Sequence, residues 1–201
     1  MAKPKLSYFD SASSRGEECR LAFVVAGVDF EDNRLSSSDW SAFKPETPFG
    51  ALPVLELEGK PMVSQSNAIL MHIGRRHGLL AEDEWEATRL HSLMDACEDL
   101  RHAVTGTFDI QDATELQRRR QELTEAQIRP WGAQMERQIV GPFAGGESIS
   151  VADIKLFVML RWFKKGVLDH VPADVLNGLP KLETLFQRVQ NHPRVVAWYA
   201  R

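Results

Sequence analysis

The sequence predicts a small mixed α/β unit followed by an all-helical half. Three observations carry that expectation. Over residues 1–79, short β-type runs alternate with helical periodicity. From residue 84 onward the strand signals stop and only helical periods remain. Residues 154–160 are apolar except for Lys155, which requires a helix buried on nearly all sides at the centre of the second half.

Each element follows from its own pattern. Lys5–Phe9 reads as a short strand. Residues 15–27 read as a helix with Cys19, Ala22, Phe23 and Ala26 on one stripe and a glycine stop. Residues 28–35 suit an edge-like second strand. Residues 36–49 read as a loop, punctuated by three serines, Pro45 and Pro48. Residues 54–57, the Glu58-Gly59 turn and residues 61–63 read as a hairpin, and residues 65–77 as a helix ending at Gly78. Beyond, helical periods cover residues 84–104 and 113–139, the latter kinked or broken at Pro130. Shorter helices are expected at 172–176 and 179–191, with a last turn at Pro193–Tyr199. Ser150-Val-Ala-Asp153 resembles a capping box opening the buried helix, with aspartate in the usual glutamate place.

Composition excludes several classes. With 43 % apolar residues the chain can bury a core, so disorder is disfavoured. A net charge of −4 leaves no global basic footprint for nucleic acid. The cluster Arg118-Arg119-Arg120 reads as a solvated helix face. No apolar run approaches the roughly 20 residues that span a bilayer, and the start MAKPKLSYFD has no signal-peptide core. The two cysteines, Cys19 and Cys97, fit neither a disulfide framework nor a zinc pattern. The expectation is a cytoplasmic protein with no metal site and no nucleic-acid or membrane partner.

The chemistry-bearing residues are few. Pro53, just before a strand, is either an ordinary strand start or a cis proline that would turn the Val54 backbone toward an extended peptide. Ser64-Gln65-Ser66 precede a helix, where free N–H groups and a hydroxyl together suit a carboxylate. Tyr8, near the end of the first strand, is a core aromatic or a phenol donor to an anion. Ser11-Ala12-Ser13-Ser14 stand where a thioredoxin-type protein carries Cys-x-x-Cys. Dithiol exchange is therefore excluded, and the serines cap the next helix or donate to a thiolate. Trp40 and Lys44 lie in the expected loop, where exposed aromatics and cations serve packing or recognition.

Taken in order, these stretches resemble a cytosolic glutathione S-transferase. They are Lys5-Leu-Ser-Tyr8-Phe9, Arg15-Gly-Glu-Glu-Cys-Arg20, Asp39-Trp40, Lys44, Pro48-Phe49-Gly50, Leu52-Pro53-Val54-Leu55, Gln65-Ser66 and Ser150-Val-Ala-Asp153. The sigma class, which includes haematopoietic-type prostaglandin D synthases, is the most similar. The resemblance implies a thioredoxin-like α/β N-terminal domain at residues 1–79. It implies an all-α C-terminal domain at 84–201 that contributes the electrophile pocket. It implies glutathione as co-substrate with no further cofactor, conjugated to a small hydrophobic electrophile by a homodimer. The same site would serve isomerisation or peroxide reduction, and a non-catalytic structural or binding protein is the remaining alternative.

Roles come with the resemblance residue by residue. Tyr8 matches the thiolate donor, with Arg15 near it. Gln65 and Ser66 match the γ-glutamyl site. Leu52, Pro53 and Val54 match the clamp on the cysteinyl residue, and Trp40 and Lys44 the contacts to the glycyl end. Asp99 matches an acid that reaches the glutathione of the partner subunit, and Phe49 an aromatic wedge presented to that subunit. Residues 10–14 carry one residue more than the sigma pattern, so Ser11, Ser13 or Ser14 stands as an alternative to Tyr8. The electrophile pocket is expected between residues 9–14 and the helix around 101–105.

Overall fold

The computed structural model describes residues 2–201. A four-stranded sheet has the order β2-β1-β3-β4, with β1 (Lys5–Phe9) parallel to β2 (Glu31–Leu35). Strand β3 (Val54–Glu56) pairs antiparallel with both β1 and β4 (Val63–Ser64). Helix α1 (Ser14–Ala26) makes the crossover between β1 and β2, and α3 (Ser66–His77) packs beside it. The helical half comprises α4 (Glu84–Thr105), α5 (Ala113–Leu123), α6 (Arg129–Gln138), α7 (Val151–Lys164), α8 (Pro180–Gln190) and α9 (Pro193–Tyr199). One continuous core of buried side chains runs through both halves.

The expected single apolar stripe on α1 is too narrow a description. Every residue from Gly16 to Phe23 is buried, including Glu17, Glu18 and Arg20. The helix packs against β1, α3, α7 and α9, so no side of this stretch reaches water. Helix α7 is buried from Val151 to Leu160, as its apolar run requires. Its capping box is present, with the Ser150 hydroxyl accepting from the Asp153 N–H and Asp153 Oδ2 accepting from the Ser150 N–H at 2.8 Å. Asp153 Oδ1 also accepts from the Ala144 N–H at 2.7 Å, and the Val151 N–H donates to the Leu79 carbonyl at 2.9 Å. The start of the central helix is thereby fastened to the segment that follows α3.

Three features differ from expectation and a fourth, at Pro130, takes a specific form. Within residues 36–49, a helix α2 (Ser37–Phe43) and a 3-10 turn (Lys44–Glu46) replace the loop. Ser36 and Asp39 close a capping box there, of the same Ser-x-x-Asp form as at 150–153. The helical run of residues 113–139 is interrupted just before Pro130, as expected. A π-helical turn (Thr124–Ile128) shifts the hydrogen-bond register, so Pro130 falls in the first turn of α6, where proline is tolerated. Residues 172–176 form isolated turns, with the Val175 N–H donating to the Pro172 carbonyl at 3.1 Å, and no helix. Finally, Arg118 and Arg119 are solvated but Arg120 is buried, donating to Thr107 Oγ1 at 3.1 Å and the Asp169 carbonyl at 2.9 Å.

Among the described residues no helix is long and apolar enough to cross a membrane. Replacing Ser150 by Ala removes the cap of the buried central helix and one hydrogen bond to Asp153. Urea unfolding should show a loss of about 0.5–2 kcal/mol. An unchanged midpoint would mean that the cap does not anchor α7.

Candidate functional site

Sheet register gathers the sequence-predicted residues at one edge. Ser7 of β1 pairs with Val54, and Val54 pairs with Ser64 of β4. The end of β1, the start of β3 and the end of β4 therefore lie side by side. Tyr8, Leu52-Pro53 and Gln65-Ser66 come together from three separate stretches of chain. Parallel pairing adds the end of β2, where Leu35 faces Phe9, and so brings in α2. Trp40 of α2 meets Phe9 edge-on, ring centroids 6.1 Å apart. Lys44 is exposed, its stem passing beside Gly50.

The Leu52-Pro53 peptide is cis. Val54 itself lies inside the ladder with a strand on either side, so its backbone is not presented to an added peptide. Of the three residues expected to form the clamp, Leu52 is half-buried and outside the ladder, whereas Pro53 and Val54 are buried. Gln65 is exposed in the left-handed region at φ 74°, and it is the N-cap of α3 without a side-chain cap. The serines on either side do not cap the helix either. Ser64 points to the Ala51 carbonyl at 3.5 Å, and Ser66 lies buried in the first turn.

Helix α1 begins in the same way. Its N-cap, Ser13, makes no side-chain cap; its hydroxyl instead shares a hydrogen bond of 2.7 Å with that of Ser11. By contrast α2, α4, α5, α7 and α9 are capped by their own side chains. Helix α8 has two of its first N–H groups bonded to the Glu136 carboxylate, and α6 continues from the π turn. Among the described residues, the helices whose first amides no side chain claims are α1 and α3, and both start at this edge. An N-terminus in that state is suited to an anion, because its N–H groups and its dipole are both unanswered.

Tyr8 is half-buried, and its ring lies on Gly16. A Cβ added at Gly16 would sit 2.1 Å from the ring, so only glycine admits the tyrosine here. Burial raises the Tyr8 phenol above its ordinary value, while the Ser14 hydroxyl and the Arg15 charge act in the opposite direction. The phenol therefore stays protonated near neutral pH and remains a hydrogen-bond donor. Ser14, at φ 62°, opens α1, and its hydroxyl acts on the Tyr8 phenol. Arg20, fully buried, fixes the loop that separates them. It donates to Asp32 Oδ1 at 2.7 Å, to the Ser11 carbonyl at 2.7 Å and to the Phe9 carbonyl at 2.9 Å.

Beneath the site lies a charge cluster that the sequence reading did not assemble. Glu18 of α1 bonds Arg101 of α4 and, through Oε2, the Lys155 ammonium of α7 at 2.8 Å. Glu98 of α4 bonds Arg101, Lys155 at 2.5 Å and, through Oε2, Arg15 Nε at 2.8 Å. The side chains of Glu18, Arg101 and Lys155 are completely buried. Burial opposes ionisation of Glu98, but Lys155, Arg101 and Arg15 outweigh it and hold its carboxyl down at about 2. The visible signal for this cluster was Lys155, the one charge in an apolar run. Its partners stand 137 and 57 residues away, beyond the reach of any local pattern.

The expected position of the electrophile pocket is redirected. Arg101 turns inward to the cluster and over the Trp162 ring, 5.6 Å from its centroid, so it does not line an open pocket. The cavity beside the 9–14 loop, about 330 Å³, is lined by Ala12 and Ser13 with Val158, Arg161 and Trp162 of α7. A larger groove of about 790 Å³ runs between β2 and α9 and shares only Ala12 with that loop. Asp99 is exposed on α4 near Asp95, which accepts a hydrogen bond of 2.6 Å from Asn67 of α3. Among the described residues, no group of three His, Cys, Asp or Glu side chains is placed to hold a metal ion.

Two domain models of glutathione S-transferase match the chain, the N-terminal one over residues 4–75 and the C-terminal one over residues 98–201. Glutathione S-transferase 1 of Ascaris suum is 31 % identical, the alignment covering 100 % of this chain and 97 % of that one. S-crystallin SL11 of Nototodarus sloanii is 29 % identical over 95 % of this chain and 93 % of its own. The structure of prostaglandin synthase D of Nilaparvata lugens superimposes with a TM-score of 0.86 at 27 % identity, covering 100 % of this chain and 98 % of that chain.

The low Glu98 pKa has a consequence for acid stability. Its ordinary value is 4.5, so the folded state binds its proton less tightly than the unfolded chain. The resulting stabilisation is complete above pH 4.5 and is lost as pH falls through 2. In urea titrations, wild type should exceed Glu98→Gln in stability near neutral pH, with the gap narrowing across that acid range. A gap independent of pH would show that the Glu98 charge does not stabilise the fold.

Proposed function

The chain belongs to the glutathione S-transferase family, and from that membership we propose that it binds glutathione at this sheet edge, ionises its thiol and conjugates it to small hydrophobic electrophiles. The observation that carries the proposal is the pair of uncapped N-termini, of α1 and α3, flanking the Tyr8 phenol. Two of glutathione's anionic groups match them, the thiolate at α1 and the γ-glutamyl carboxylate at α3.

In this reading Gln65 and Ser66 hold the γ-glutamyl end. Leu52, before Pro53, pairs with the cysteinyl backbone. Trp40 and Lys44 receive the glycyl end. A free thiol with pKa near 8.5 is only a few per cent ionised at pH 7. Lowering that by about two units needs about 2.7 kcal/mol in favour of the anion. One hydrogen bond to a charged acceptor contributes about 1.5–3 kcal/mol. The Tyr8 phenol, kept protonated by burial, supplies that bond, and the α1 amides and Arg15 add to it. Ser14 acts through Tyr8, and Ser13 lines the adjoining cavity.

The thiolate sulfur then forms a bond to the electrophilic carbon. A leaving group departs with its electron pair, or an added double bond takes up a proton. The cavity of about 330 Å³ beside Ser13 sits at the small end of ligand pockets, which supports small substrates. Likeness to a prostaglandin synthase D structure favours a second reading, isomerisation through the same thiolate. A homodimer is supported by Phe49, which is 71 % exposed, and by the unpartnered position of Asp99. Each would meet the second subunit.

Steady-state kinetics with a chromogenic aryl halide test the assignment. Tyr8→Phe should lower turnover about tenfold or more, each 1.36 kcal/mol being a factor of ten, with the glutathione KM nearly unchanged. Ser14→Ala should have a smaller effect that disappears in the Tyr8→Phe background. Unchanged turnover in Tyr8→Phe, with a collapse in Ser14→Ala, would transfer the thiolate donor to the serine.

A further inference from the structure

The Lys155 ammonium lies where α1, α3, α4 and α7 meet, and its side chain is fully buried. It has three protons and three acceptors. Glu18 Oε2 stands at 2.8 Å, Glu98 Oε1 at 2.5 Å and Ser66 Oγ at 3.5 Å. An ammonium only donates, whereas a hydroxyl has one proton and two lone pairs. Ser66 Oγ must therefore accept from Lys155, and its own proton must point elsewhere. Among the described residues, no protein acceptor takes that proton. The first amides of α3, in the same turn, are equally unclaimed.

We propose that Lys155 is a positioning residue: it fixes the Ser66 hydroxyl as a donor toward the bound ligand and makes this subsite select a carboxylate. The inference rests on the reading of Ser66 as a contact to the γ-glutamyl group. Selection follows from charge as well as from hydrogen bonding. Arg101 and Lys155 balance Glu18 and Glu98 in the interior, and Arg15, with 28 % of its side chain exposed, adds a further cation at the rim of the cluster. The Lys155 ammonium, fully buried, is the cluster member bonded to the Ser66 hydroxyl, so its charge stands one hydrogen bond behind the ligand position. Burial works against the charge on Lys155, but Glu18 and Glu98 outweigh it and keep the ammonium protonated across the neutral range. A carboxylate at the ligand position gains from both the donor and the charge. A neutral amide there gains only the hydrogen bond.

A double-mutant cycle on the full chain tests this, using Ser66→Ala, Lys155→Met and the two together. Calorimetric affinities are measured for glutathione and for glutathione amidated at the γ-glutamyl α-carboxylate. A hydrogen bond to a charged group corresponds to about tenfold or more in affinity. Each single variant should weaken glutathione by about that factor, and the pair should lose little beyond either one. Lys155→Met should also lose most of the wild-type preference for the acid over the amide. A purely structural lysine would leave that ratio in place. If Lys155→Met does not fold, Glu18→Gln with Lys155→Met replaces it in the cycle, removing one buried charge of each sign. Additive losses, or an unchanged acid-to-amide ratio, would overturn the proposal while leaving Ser66 in the site. Unchanged glutathione affinity in Ser66→Ala would instead overturn the γ-glutamyl reading itself, and this proposal with it.

Discussion

Burying Glu18, Arg101 and Lys155 where the sheet unit meets the helical half, with Glu98 and Arg15 at the rim, constrains everything else in this chain. Taking an ion out of water costs several kcal/mol, and only near-complete pairing offsets it. Glu18, Glu98, Arg101, Lys155 and Arg15 meet that condition together and would not meet it apart. Apolar contacts tolerate sliding; charge-assisted hydrogen bonds do not. The cluster therefore ties α1, α4 and α7 together by directional bonds across the continuous apolar core.

That connection matters because α1 and α3 begin at the sheet edge that gathers Tyr8, Leu52 and Gln65. Both helices leave their first amides without side-chain caps, while most other helices of the chain are capped. The two non-glycine residues in left-handed conformation near the edge, Ser14 and Gln65, stand at those same helix starts. Strain of this kind persists only where surrounding structure holds it. Here Arg20 pins the loop before α1, and the β3–β4 ladder leads into α3.

Much of the fold was legible because its signals are local. The strand–helix alternation, the hairpin around Glu58-Gly59 and the all-round burial of α7 all follow from periodicity and turn chemistry. Helix α2 escaped because serines and prolines read as loop, although Ser36 and Asp39 carry the same box recognised at Ser150 and Asp153. Arg120 looked like its solvated neighbours, and only tertiary packing distinguishes it. The site residues were identifiable one at a time. Two things were not: which backbone the ladder consumes, Val54 being paired on both sides, and which distant charge answers Lys155. Both depend on the partner across the fold and not on the residue itself.

The account turns on an activated thiol, and the most direct test is an ultraviolet pH titration of glutathione bound to the protein, followed by thiolate absorbance against a tyrosine-corrected blank. A bound-thiol pKa about two units below the free value near 8.5 is the expected result. Glutathione that binds with its thiol pKa unshifted would contradict the account and leave a binding protein in place of an enzyme.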